Sequence, residues 1–217
     1  MLYSRDKSFL FIHIPKTAGT SIRSVLSPYS GKSGVFNFIG RRLEQYPAFC
    51  FKTGLSARRT YDSHTTYERF ERLFPQKERD KLFKFCIVRN PYDRMYSYYL
   101  HVLSIPGHRS YDLIKSFNSF DGMLQNLDKI NEPTQKSYII NSKGEISVDF
   151  IGKFENLHDD FSSVCRRLDI PYNLPRKNTR KKNKHYNEAY DENNWRYVAE
   201  YYSEDFEEFG YDKDFLK

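Results

Sequence analysis

Two short apolar runs constrain this 217-residue chain more than any other feature. They are Phe9-Leu10-Phe11-Ile12-His13-Ile14 and Leu82-Phe83-Lys84-Phe85-Cys86-Ile87-Val88. Both are rich in β-branched and aromatic residues, both stop at a proline-containing turn, and both lead into a helical pattern. Runs of this length without polar alternation read as strands buried on both faces, as in a parallel sheet. A weaker third run, Val148 to Phe154, contains Gly152, which predicts close approach of another backbone. Helical spacing follows each run. Ile22, Val25 and Leu26 share a face after Thr20-Ser21, Asp93 can cap a segment from Arg94 to about Leu103, and Leu157, Phe161, Val164, Cys165 and Leu168 recur at helical spacing. A last amphipathic helix is expected from about Glu192 to Phe209, ending at Gly210. Strand–helix alternation predicts an α/β fold with a central, mainly parallel sheet flanked by helices. Ligands of such sheets sit at the carboxyl ends of the strands.

Composition bears on partners and compartment. Hydrophobic residues at 39%, with 18 Phe and 18 Tyr, supply a sizeable core and exclude wholesale disorder. No repeat, low-complexity tract or flexible linker divides the chain, so residues 1–217 are expected to form a single domain. Most of the aromatics belong to that core, with Tyr98, Tyr99 and Tyr138 as candidates to line a sugar or adenine site. Three cysteines, Cys50, Cys86 and Cys165, form no C-x-x-C pair, which argues against a disulfide framework and for a reducing compartment. No apolar stretch approaches the ~20 residues of a membrane span, and a signal segment is not expected either. The expectation is a cytoplasmic, bacterial protein.

The net charge is +7, unevenly spread. From Tyr186 onward acids exceed bases, whereas Arg176, Lys177, Arg180, Lys181, Lys182 and Lys184 crowd one short run. Such a balance points to an anionic partner. Nucleic acid, a membrane surface, a phosphorylated cofactor and an acidic polysaccharide all satisfy it.

Two motifs narrow the choice. In His13-Ile14-Pro15-Lys16-Thr17-Ala18-Gly19-Thr20-Ser21 a strand delivers a tight loop to a helix N-terminus. Pro15 to Ser21 form an anion cradle on this reading: Gly19 permits the turn that points amides inward, and the helix adds unpaired N–H groups. Lys16 supplies a mobile charge, and Thr17, Thr20 and Ser21 supply hydroxyls. A plain turn with a surface lysine explains the convergence less well. The Walker pattern G-x-x-x-x-G-K-[ST] is absent. In Val88-Arg89-Asn90-Pro91-Tyr92-Asp93-Arg94-Met95-Tyr96-Ser97, Arg89 ends a strand and Ser97 lies on the following helix. Together they can grip a second phosphate, the guanidinium taking two oxygens and the hydroxyl a third. Arg94 reads instead as a structural partner for Asp93 or another acid.

The two motifs resemble the paired cofactor signatures of carbohydrate sulfotransferases, in the branch of the glycosaminoglycan 2-O- and chondroitin-type enzymes and their bacterial relatives. Gln135-Lys136-Ser137-Tyr138-Ile139, Asp149 to Leu157 and Asp205-Phe206-Glu207-Glu208-Phe209-Gly210-Tyr211 are similar as well. The resemblance implies a P-loop-like domain that takes 3′-phosphoadenosine 5′-phosphosulfate (PAPS) as donor and releases adenosine 3′,5′-bisphosphate (PAP). It assigns the Lys16 loop to the 5′-phosphosulfate and Arg89 with Ser97 to the 3′-phosphate. It also implies a mobile loop over the donor at Thr179, Arg180 and Lys181.

Sulfuryl transfer needs positioning, charge neutralisation and a base for the acceptor hydroxyl. Lys16 neutralises the leaving oxygen, so no metal is required. Histidine is the first choice of base at neutral pH. Among six histidines, His64 stands in a polar turn between the two motifs, where members resembling this chain carry His-x-Thr; Glu68 is the fallback. The expected activity is sulfuryl transfer to a hydroxyl, of a carbohydrate. The alternatives are a nucleotide-dependent small-molecule kinase, which lacks its Walker loop here, and a basic nucleic-acid-binding module using residues 176–185.

Overall fold

A computed structural model describes residues 1–30, 64–175 and 185–215. Among these, four strands form one sheet: β1 (Leu2–Ser4), β2 (Phe9–Ile12), β3 (Phe83–Val88) and β4 (Phe150–Lys153), in that spatial order. The principal helices are α1 (Gly19–Leu26), α2 (Tyr67–Leu73), α3 (Pro91–Leu103), α4 (Leu157–Arg167), α5 (Glu192–Tyr201) and α6 (Ser203–Phe209). The α/β expectation holds. β2 pairs parallel with β3 and β3 parallel with β4, while β1 adds an antiparallel edge that the sequence did not announce. Three residues are too few to show a period. No helix among the described residues is long and apolar enough to cross a membrane.

The chain divides into two compact units, residues 1–88 with 137–177 and residues 89–136 with 178–217. The first unit contains the whole sheet. Side chains alternate along each strand, so Phe9, Phe11, Phe83, Phe85 and Ile87 share one face. They pack with Ile22 and Leu26 of α1 and with Phe161, Val164 and Cys165 of α4. Leu10, Ile12, Cys86 and Val88 on the opposite face are also fully buried, which explains why β2 and β3 read as unbroken apolar runs. Each fully buried Phe or Ile contributes about 1.5–3 kcal/mol relative to exposure. Gly152 does mark a close approach, but of side chains rather than backbone. A Cβ there would meet Ile87 Cδ1 at 2.6 Å and the Asp160 Cβ at 3.1 Å.

The second unit is helical. Its core joins Tyr92, Met95, Tyr96 and Val102 of α3 to Trp195, Val198, Tyr202 and Phe206 of the C-terminal region. Trp195 stacks on Tyr92 with ring centroids 3.6 Å apart, and both donate to the Lys213 carbonyl. Two details differ from expectation. The last helix is two helices, because Tyr202 leaves helical geometry at φ −106, ψ 27 between α5 and α6. There its hydroxyl donates to the Glu132 carbonyl, a tertiary bond that no helical period reveals. Gly210 ends α6 in the left-handed region, as predicted. Asp93 is not the cap of α3: the Asn90 side chain accepts from Tyr92 N and the helix starts at Pro91.

Candidate functional site

In the first unit, β2 hands the chain to a loop whose backbone carries its chemistry. Lys16 (φ 69) and Ala18 (φ 64) both occupy the left-handed region, with Thr17 of negative φ between them. A non-glycine residue there costs about 1–2 kcal/mol, and such strain concentrates at functional turns. Alternating backbone sign turns successive amides to one side, the geometry of an anion-binding nest. Ala18 is the N-cap of α1; no side chain caps the helix, and its first turn holds no acid. A helix start without a capping side chain or an acid favours negative charge beside it.

The turn therefore does not rest on Gly19, contrary to the sequence reading. Gly19 has no positive φ and serves a different purpose: a Cβ there would fall 1.7 Å from His13 Nε2. The missing side chain makes room for a buried imidazole beneath the loop. Thr17 is also used internally, since its fully buried hydroxyl donates to the Ile14 carbonyl at 3.0 Å and closes the turn. Pro15, Lys16 and Ala18 are half-buried, Ser21 is buried and Thr20 is exposed.

His13 stacks on Phe11 and lies 4.5 Å, centroid to centroid, from the ring of His64. Burial first, then the neighbouring His64 and the charges of the N-terminal amine, Arg23 and Lys16, push its pKa down to about 2. His13 is accordingly neutral at working pH. Exposed His64 sits just before α2, with Nδ1 3.1 Å from the His13 carbonyl oxygen. A carbonyl only accepts, so Nδ1 carries the proton and neutral His64 has its lone pair on Nε2. The fold thus brings His64 to the Lys16 loop from 51 residues away in sequence. Glu68 is instead engaged by Arg72 on the same helix. The other four histidines lie elsewhere: His101 beside His108, His158 against Tyr172 and His185 against Tyr186.

The second unit opens with Arg89, which follows directly on the last residue of β3. Its side chain is buried, and Nε and Nη2 donate to Asp93 Oδ2 at 2.8 and 2.5 Å. The edge that the sequence reading offered to two phosphate oxygens is thus engaged by Asp93. Arg94 is fully buried and pairs with Glu132 at 2.7 Å, a structural role as expected. Ser97 lies half-buried, two turns into α3. Two residues that sequence reasoning did not single out complete the surroundings of Arg89. Buried Gln135 bonds both the amide and the carbonyl of Arg89, and buried Asp205 accepts from the amides of Gln135 and Lys136. Only their place in stretches of family resemblance marked them. Tyr98, a candidate for the sugar or adenine site, belongs to the core of this unit, with its hydroxyl 3.4 Å from Ser110 Oγ. Thr179, Arg180 and Lys181 lie outside the described residues.

Comparison with known proteins adds two findings. A family model described as "Sulfotransferase family" matches residues 1–212. A 94-residue stretch, 42% of this chain, is 33% identical to an uncharacterized protein of Archaeoglobus fulgidus, of which it spans 70%.

Proposed function

The chain belongs to the sulfotransferase family, and on that premise we propose that it uses PAPS to sulfate a carbohydrate hydroxyl, with residues 1–217 acting as one domain. The observation that carries the reading is the His64 Nδ1–His13 carbonyl bond, which joins a base of defined tautomer to an anion-binding loop. The acceptor oxygen attacks sulfur in line with the phosphate leaving group, so one S–O bond forms as the other breaks. The acceptor proton passes to His64 Nε2, and the Lys16 ammonium neutralises charge building on the departing phosphate oxygen. The loop from Pro15 to Ser21 holds the 5′-phosphosulfate through the main-chain N–H groups that follow Pro15, which itself has none, and through the hydroxyls of Thr20 and Ser21. Arg89 and Ser97 hold the 3′-phosphate, and Thr179, Arg180 and Lys181 close over the donor. PAP is the second product.

The carbohydrate acceptor is supported by the resemblance of the two motifs to carbohydrate-directed members, and an acceptor screen with labelled PAPS across sugar classes tests it. The donor is tested by thermal shift. PAP is expected to raise the melting temperature far more than ATP with magnesium; the reverse order would establish a kinase-like protein instead. His64→Ala is expected to abolish transfer, a loss on the order of 10²–10⁴-fold for a general base, while PAP affinity stays near that of the parent. Loss of PAP binding in that variant would place His64 on the donor side.

A further inference from the structure

We propose that Gln135 and Asp205 are positioning residues for the donor's 3′-phosphate, acting through Arg89. The inference rests on the reading of Arg89 given above. An arginine that must meet a phosphate with directed N–H bonds is only as accurate as the main chain that carries it. Arg89 stands where β3 has ended and the Asn90-Pro91 turn begins, so no regular element holds it.

Gln135 supplies what the strand no longer does. Its Oε1 accepts from Arg89 N at 2.9 Å, and its Nε2 donates to the Arg89 carbonyl at 2.8 Å. A side-chain carboxamide here takes the part of a neighbouring strand's peptide group. Only an amide can do both, since a carboxylate has no proton to donate and a hydrocarbon offers neither bond. Gln135 is in turn fixed from 70 residues away. Asp205 Oδ2 accepts from Gln135 N at 2.8 Å, and Oδ1 accepts from Lys136 N at 2.9 Å.

Both side chains are fully buried, at 0% exposure. A buried carboxylate is costly unless its bonds are made, and both oxygens of Asp205 are committed to this one segment. Asp93 meanwhile fixes the guanidinium. Arg89 is thus held by its main chain through Gln135 and by its side chain through Asp93.

The test compares PAP with adenosine 5′-monophosphate, which lacks only the 3′-phosphate, by calorimetric titration of the full chain. The parent is expected to prefer PAP strongly. Gln135→Met and Asp205→Asn are expected to weaken PAP by about tenfold or more, the scale of one or two lost buried bonds, with the monophosphate unchanged. Gln135→Glu, which keeps the acceptor for Arg89 N, is expected to fall between. A parent without preference for PAP would overturn the 3′-phosphate assignment of Arg89 itself. A parent that prefers PAP beside variants that keep the same preference would overturn the positioning role alone. Equal losses for both ligands in a folded variant would also overturn it, by placing the pair in general support. If Asp205→Asn fails to fold, the two Gln135 variants decide.

Discussion

On the proposed function, the two units hold an anion in different ways. In the first, the grip is main chain: left-handed Lys16 and Ala18, an uncapped helix end, and a glycine that admits a neutral imidazole beneath them. In the second, the grip is side chain: Arg89 tethered to Asp93, and its backbone tethered to Gln135 and through it to Asp205. Main-chain dipoles need no counter-charge and stay in place whatever titrates around them. Buried side-chain charges require partners, because an unpaired one costs several kcal/mol. The first site is therefore compact in sequence, whereas the second draws on residues 46 and 70 positions apart.

Three measurements strain that contrast. The largest effect is expected from Lys16→Ala, which removes the side chain proposed to neutralise the leaving oxygen. Turnover in a labelled-sulfate transfer assay should fall by about 10³-fold or more, while folding is unaffected. Near-parent turnover would remove Lys16 from the mechanism.

Gly19→Ala comes next. Its methyl would sit 1.7 Å from His13 Nε2, so either the ring or the loop must move. Overpacking of this kind costs about 1–3 kcal/mol, read as a lowered urea midpoint, and PAP binding should weaken with it. Parent-like binding and stability would show that the ring has somewhere else to go.

The third measurement concerns the acid limb of stability. His13 is held neutral, with its pKa lowered from 6.5 to about 2. The unfolded chain binds the proton first, so this histidine's contribution is complete above pH 6.5 and is lost as pH falls toward 2. Asp205 works in the opposite sense, since burial raises its pKa above the usual carboxylate value. The folded state then binds that proton more readily, and acidification relieves part of its burial cost. Urea unfolding at stepped pH values should show a shallower acid limb in His13→Gln than in the parent. Identical slopes would assign the acid sensitivity to other groups.

How much was legible follows the same division. The runs at Phe9 and Leu82 revealed two parallel strands because burial on both faces leaves no polar position. The Lys16 loop stood out as a strand-to-helix turn, and as a candidate anion cradle, because its parts are adjacent in the chain. Its internal assignments were not: the left-handed residues are Lys16 and Ala18, and Gly19 answers to a ring six residues earlier. His64 was a candidate base in the sequence, but its tautomer depends on a carbonyl 51 residues away. Asp93 looked like a helix cap and proved to be the partner of Arg89, since acids at a helix start suit either role.

By itself, the sequence determined the parallel strands, the helices that follow them, the glycine stop at Gly210 and the residue types in both motifs. These are local matters of periodicity, turn chemistry and short spacing. Only the tertiary structure decided which carboxylate holds Arg89, what Gln135 and Asp205 bond to, where the C-terminal helix breaks, and which nitrogen of His64 carries the proton. Apart from the Arg89–Asp93 pair, four residues apart, each of these turns on a bond between residues far apart in the chain. A hydrogen bond of about 3 Å is set by the packing of whole elements, and no spacing along the sequence encodes it.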